Sequence, residues 1–195
     1  MPLPKATIWY GLAAAIAVAD QATKAWLAGA LKLGESIAVN GCCLTVVEFD
    51  AARFAIDASS ETLALTTLGR LAIGAPLNLE RAMLPTDRLG GHLVSGHVDG
   101  LGIAEKRWDD ARAVRWRFTA PIALLRYVAH KGSICVDGVS LTVNEVDAAG
   151  FEVALIPHTV EHTAFRALRE GDAVNLEVDL LARYVERLLA TKDKA

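Results

Sequence analysis

The chain writes one phrase twice. "NGCCLTVVEFDAARFAID" begins at Asn40, and "DGVSLTVNEVDAAGFEVA" begins at Asp137. The match continues as "ETLALTTLGRLAIGAPLNLE" over "HTVEHTAFRALREGDAVNLE". Roughly sixteen of about forty-two aligned positions are identical, too many for shared composition. A period of about 97 residues is far longer than a solenoid unit, so the repeat is a duplicated small domain.

Each copy alternates short apolar runs with turn residues. "ESIAVNG", "CLTVVEFD", "RFAIDA" and "APLNLER" have strand length and often strand alternation. Their partners are "GSICVDG", "SLTVNEVD", "GFEVALI" and "DAVNLEV". Asn40-Gly41 and Asp137-Gly138 are hairpin dipeptides. "ETLALTTLGRL" and "HTVEHTAFRAL" each suit a helical turn. The predicted fold is mainly β: two tandem small antiparallel, Greek-key-like barrels with a C-terminal helix. Pro85 and Gly90-Gly91 mark the joint, so the first barrel spans 31–89 and the second 90–179. In the tail, 180–195, Leu180, Leu181, Tyr184, Val185, Leu188 and Leu189 recur at helical spacing. That stripe either packs on its own barrel or serves self-association.

With 53% hydrophobic residues in 195, a packed core is expected. The net charge of −3 and the lack of a basic stripe argue against nucleic acid as a partner. Three cysteines, two of them adjacent, make a poor disulfide framework and suit a reducing cytoplasm.

"GESIAVNGCCLTV", "GGHLVSGHVDG", "KGSICVDGVSLTVNEV" and "NLEVDLLARYVERLL" together resemble the riboflavin synthase family, over about Leu31 to Leu189. The resemblance implies tandem lumazine-binding barrels and a homotrimer, with the working site between the first barrel of one subunit and the second of its neighbour. It implies dismutation of two molecules of 6,7-dimethyl-8-ribityllumazine to riboflavin and 5-amino-6-ribitylamino-uracil. It implies no metal and no organic cofactor, a cytoplasmic location, and leaves room for association with lumazine synthase. The alternative is a lumazine- or flavin-binding protein without turnover, or a synthase inactivated by its altered N-terminus.

The resemblance also implies roles for residues. Its catalytic set is Cys43, His97, Ser140, Thr142 and Asp179. Around the first ring it places Cys43, Leu44 and Thr45, then Asp57, Ala58, Ser59, Ser60, Glu61 and Thr62. Around the second it places Ser140, Leu141 and Thr142, then Ala154, Leu155, Ile156, Pro157, His158 and Thr159. Gly96, His97, Val98 and Lys131 complete the substrate-binding set. Chemistry offers bland alternatives. Cys43 can be a small core residue, although its repeat partner Ser140 also donates and accepts hydrogen bonds. Cys42 should face the other side of its strand and, with Cys135, is read as structural. His92 has no family counterpart and is read as structural. His158 and His162 stand at i, i+4, but no third metal ligand accompanies them. Asp179 can equally cap the last helix.

Residues 1–30 depart from the family. Ile8 to Ala19 is an unbroken apolar, alanine-rich run, which predicts a helix. "VADQATKAWL" resembles the end of the first membrane helix of lipoprotein signal peptidases, with Asp20, Gln21 and Lys24 in place. Three readings follow: foreign sequence replacing native strands, a membrane or secretory element, or a helix against an incomplete first barrel. The run is short for a membrane span, which needs about twenty residues.

Overall fold

The structure, a computed structural model, describes residues 14–17, 31–50 and 53–192. Its elements repeat at the interval read from the sequence. In the first half, β1 is Ala14–Ala17, β2 Ser36–Val39, β3 Cys42–Phe49, β4 Arg53–Ile56, α1 Ser60–Leu65 and β5 Leu79–Arg81. In the second, β6 is Gly100–Asp110, β7 Ala113–Thr119, α2 Ile122–Leu125, β8 Ser133–Val136, β9 Val139–Val146, β10 Gly150–Leu155, α3 Pro157–His162 and β11 Ala173–Val178. The last helix, α4, is Leu180–Lys192.

β2, β3 and α1 lie over β8, β9 and α3 without a gap, and β4 and β10 start in register. Even the irregularities recur. β3 bulges against β4 between Val46 and Glu48, and β9 bulges against β10 at the matching step. Thr66 caps a 3-10 turn and reaches back to the Thr62 carbonyl at 2.6 Å; Thr163 does the same with Thr159 at 2.7 Å.

The halves differ in closure. The second is a closed barrel of six strands in the order β10-β7-β6-β11-β8-β9. Its core centres on Trp116, Phe118 and Phe151, each at most 1% exposed, with Phe165 edge-on to Phe118. The first is a five-stranded sheet, β1-β4-β3-β2-β5, over a smaller core of Ile37, Val39, Leu44, Val46, Phe54 and Ile56. Where Phe165 plugs the second barrel, the half-buried Leu68 packs on the first core.

The helix expected over Ile8–Ala19 is corrected at Ala14–Ala17, which is a strand. It pairs antiparallel with β4, on the side that β7 takes on β10. Alanine favours helix only weakly, and an open sheet edge offers backbone partners that override the preference. The rest of that run lies outside the described residues, as do Asp20, Gln21 and Lys24. Among the described residues no strand joins β1 to β5, which is the place of β6 in the other half. No described helix is long and apolar enough to cross a membrane.

The two halves meet on a pseudo-twofold seam built from the hairpin dipeptides. Asn40 and Asp137 adopt left-handed φ of 45° and 47°, and Gly41 and Gly138 follow at 74° and 84°. The two glycines lie back to back: a Cβ on Gly41 would come within 2.6 Å of the Gly138 nitrogen. Across the seam, the Asn78 amide donates to the Asp137 carbonyl and the Asn175 amide to the Asn40 carbonyl, both at 2.8 Å. The Asn175 side-chain oxygen accepts from Thr67 N–H and that of Asn78 from Ala164 N–H, both at 2.7 Å. These backbone groups are buried or half-buried and would otherwise go unpaired. One position breaks the symmetry. Asp137 carries a carboxyl where Asn40 carries an amide, and burial pushes its pKa up to about 7.

Candidate active site

Alternation along β3 decides which way the repeated phrase points. Cys42, Leu44 and Val46 are core residues, whereas Cys43 and Thr45 are exposed on the outer face. β9 repeats this, with Leu141 and Val143 inside and Ser140 and Thr142 outside. The outer faces therefore present one thiol or hydroxyl and one threonine hydroxyl in each half. Cys42 and Cys135 are buried thiols; burial pushes Cys42 up to about 11 and raises Cys135 further, so neither supplies thiolate at neutral pH.

The segments after β4 and β10 extend these faces. Asp57, Ser59, Ser60 and Glu61 are exposed, and Thr62 is half-buried. Ser59 caps α1, its hydroxyl accepting from Thr62 N–H at 3.1 Å. In the second half Ala154, Ile156, Pro157 and His158 are exposed and Thr159 is half-buried. The side chains of Leu44, Ala58, Leu141 and Leu155 point into the two cores, which leaves their backbone alone to face the site. His158 and His162 stack at 4.0 Å, and the described residues contain no group of three or more metal-ligating side chains.

The linker between β5 and β6 touches both phrases. Gly96 accepts from Cys43 N–H at 2.8 Å, so close that a Cβ there would meet the Cys43 Cβ at 2.7 Å. Gly91 approaches Ser140 as tightly, and His92 follows it: the ring Nδ1 lies 2.8 Å from Ser140 Oγ, and the His92 N–H donates to the same oxygen at 3.3 Å. Buried Glu177 anchors the linker by accepting from Ser95 N–H, Ser95 Oγ and Gly96 N–H at 2.6–2.9 Å. His97, by contrast, is exposed, and Val98 packs on the first core. Two further residues bear on the site: Glu177, which the sequence does not single out, and His92, which the sequence reads as structural. Glu177 had a visible signal, since it closes the repeated "NLE" opposite Glu80. His92 had only its place beside the joint.

Asp179 caps α4, accepting from Leu181 N–H at 2.9 Å. The helix docks through polar groups: Arg183 pairs with Asp99 and reaches the His97 carbonyl, and Glu186 pairs with Arg126 and Tyr127. Most of its apolar stripe is exposed. Leu181, Tyr184, Val185, Leu188 and Leu189 are all more than half exposed. Lys131 sits at the turn into β8 with φ of 61°, where the first copy has Gly34.

Comparison with known proteins places this arrangement. The Lumazine binding domain family matches residues 12–82 and 95–179. Riboflavin synthase of Photobacterium phosphoreum is 47% identical over 159 residues, covering 82% of this chain and 73% of that protein. Riboflavin synthase of Mycobacterium tuberculosis is 48% identical over 160 residues, covering 80% of each chain. Among solved structures, LumP complexed with riboflavin superposes with a TM-score of 0.73 at 22% identity, over 78% of this chain and 82% of that one. LumP complexed with 6,7-dimethyl-8-(1'-D-ribityl) lumazine gives 0.70 at the same identity. These two establish likeness of fold.

Proposed function

We infer the activity of this chain from one premise: it belongs to the riboflavin synthase family and carries two copies of the lumazine binding domain. The chain is an enzyme acting on a small molecule. Two molecules of 6,7-dimethyl-8-ribityllumazine react, one giving a four-carbon unit to the other, and the products are riboflavin and 5-amino-6-ribitylamino-uracil.

The observation that carries this reading is the pair of outer strand faces, Cys43 with Thr45 and Ser140 with Thr142, on matching elements of a duplicated domain. Two copies of one substrate call for two sites of one shape. The units are 31–89 and 90–179, followed by the helix and tail 180–195. Each outer face holds one ring. Asp57 to Thr62 and Ala154 to Thr159 hold the ribityl chains, whose hydroxyls suit the exposed polar groups there. Cys43, His97, Ser140, Thr142 and Asp179 form the catalytic set. The pteridine itself delocalises the charge left when its C7 methyl loses a proton. The protein's main contribution is holding two rings face to face, worth about 7–11 kcal/mol of the barrier.

The working assembly is a homotrimer in the cytoplasm, with the exposed stripe of α4 as its contact. Lys131 reaches the ligand of a neighbouring subunit, and lumazine synthase is a candidate partner. Incubation with the lumazine decides the activity: riboflavin fluorescence should appear, and its absence where a family member turns over refutes the reading for this chain. A second reading, lumazine or flavin binding without turnover, draws on the open first sheet among the described residues. One ligand per chain with no conversion supports it, and two count against it.

A further inference from the structure

We propose that His92 acts through Ser140 as the proton acceptor of the second half-site, so that the substrate held there is the one deprotonated. The identity of that substrate rests on the function proposed above; the pairing itself rests on geometry.

His92 Nδ1 stands 2.8 Å from Ser140 Oγ, within reach for proton transfer. The His92 N–H also holds that oxygen, so the ring and the hydroxyl are fixed to one another. Glycine at position 91 permits the approach, because a Cβ there would lie 2.3 Å from Ser140 Oγ. On the far side of the ring, Nε2 is buried and has no hydrogen-bond partner among the described residues. A buried polar atom left unpaired is costly, so the ring is held against Ser140 at some expense in stability. Burial holds the imidazole below its ordinary pKa, which keeps it neutral and able to accept. The charged groups that face it are Glu177 on β11 and Asp179 beyond the strand's end. Both favour the imidazolium once it forms.

The transfer balances. The methyl C–H bond breaks and its proton passes to Ser140 Oγ while the hydroxyl proton passes to His92 Nδ1. The electron pair stays in the pteridine. The products are a ligand carbanion and an imidazolium, which needs the His92 tautomer with hydrogen on Nε2. Among the described residues the first half shows no such device. The linker meets Cys43 through a backbone carbonyl, that of Gly96, and no described imidazole is hydrogen-bonded to the thiol.

Two measurements test the pair. In D₂O, deuterium exchange into the C7 methyl of bound lumazine is followed by NMR. His92→Gln should slow it at least tenfold, as expected for loss of a general base, with lumazine affinity held within about threefold. In the parent the exchange rate should stay level at neutral pH and fall only below the ordinary histidine value of 6.5; the variant should lose that limb. Undiminished exchange at unchanged affinity overturns the proposal. The second readout needs no substrate. Ser140→Cys places a thiol against the imidazole, and its iodoacetamide labelling at pH 7, resolved by mass spectrometry with Cys43 as internal reference, should exceed that of Ser140→Cys/His92→Gln at least tenfold. Equal labelling overturns the pair even if the enzyme is active. If labelling depends on His92 but the parent neither binds lumazine nor exchanges its methyl, the pair stands and the substrate reading falls.

Discussion

Element for element the second half repeats the first, yet among the described residues closure is seen in the second. Six strands complete one barrel, while the described strands of the other form an open run of five. The hairpins, the bulge, the capped 3-10 turn and the seam are shared, so these features need only the repeated phrase and its neighbours. Closure needs more. β6 and β7 of the second half pair over seven positions and bring in Trp116 and Phe118, whereas among the described residues only β1 stands on that side of the first half. Local pattern sets the half-site, whereas closure depends on sequence far outside it.

The sharpest way to break that comparison is to remove one matching aromatic from each core. Phe54 and Phe151 are repeat partners and both buried, but among the described residues only Phe151 stacks on another ring, that of Phe118, at 5.6 Å. Phe151→Ala should cost about 3–5 kcal/mol in urea unfolding. Phe54→Ala should cost about half as much, because an open sheet relaxes around the cavity more readily. Equal losses would mean that the first core is as tightly packed as the second.

The seam predicts the opposite, likeness rather than difference. A Cβ on Gly41 would meet Gly138 N at 2.6 Å, and one on Gly138 would meet Gly41 N at 2.8 Å. Both positions also have left-handed φ, where L side chains are strained. Gly41→Ala and Gly138→Ala should each destabilise by roughly 2–4 kcal/mol and to similar extents. A marked difference in thermal unfolding between the two would show that the seam is not symmetric.

Much of this was legible from the repeat. The interval placed β2 on β8 and β3 on β9, and alternation put Cys42 inside and Cys43 outside. Four things were not. The seam joins Asn40 to Asn78 and Asn175, residues far apart in the chain that show no periodic signal. Ala14–Ala17 has helical composition, but a free sheet edge decided its conformation. The stripe on α4 fixed a helix but not the face by which it docks, which ion pairs of Arg183 and Glu186 determine. His92 reaches Ser140 only because a linker, which has no pattern of its own, crosses β9.

The one titrating difference at the seam sharpens the comparison further. Asp137 is an ordinary carboxyl of pKa 3.8 when unfolded and is raised to about 7 in the fold, so the folded protein holds a proton that the unfolded chain releases. Its cost is absent below pH 4, grows as pH rises from 4 to 7, and is constant above. Asn40, in the same place, does not titrate. Asp137→Asn should therefore leave stability near the parent's at pH 4 and exceed it by up to about 4 kcal/mol at pH 8. Parallel stability curves for parent and variant across that range would refute the assignment.

The smallest effect separates function from packing at a single turn. Gly34 and Lys131 are repeat partners with φ of 80° and 61°, and their N–H groups bond to Val46 and Val143 carbonyls at the same 2.9 Å. The backbone task is identical, and glycine performs it without strain. Lysine in a left-handed conformation costs roughly 1–2 kcal/mol, partly offset by the entropy that glycine would add to the unfolded chain. Lys131→Gly should thus raise stability by about 0.5–1 kcal/mol. Strain kept where a better residue fits is a mark of use, and the use inferred here is contact with a neighbour's ligand. The variant should therefore be more stable but weaker in lumazine binding. Lys131→Ala is the control, since it removes the ammonium but keeps the strained φ. It should lose affinity as the glycine variant does, without the gain in stability. If Lys131→Gly is no more stable than the parent, the strain argument is wrong. If it binds lumazine as tightly, the lysine is only a solvated turn residue.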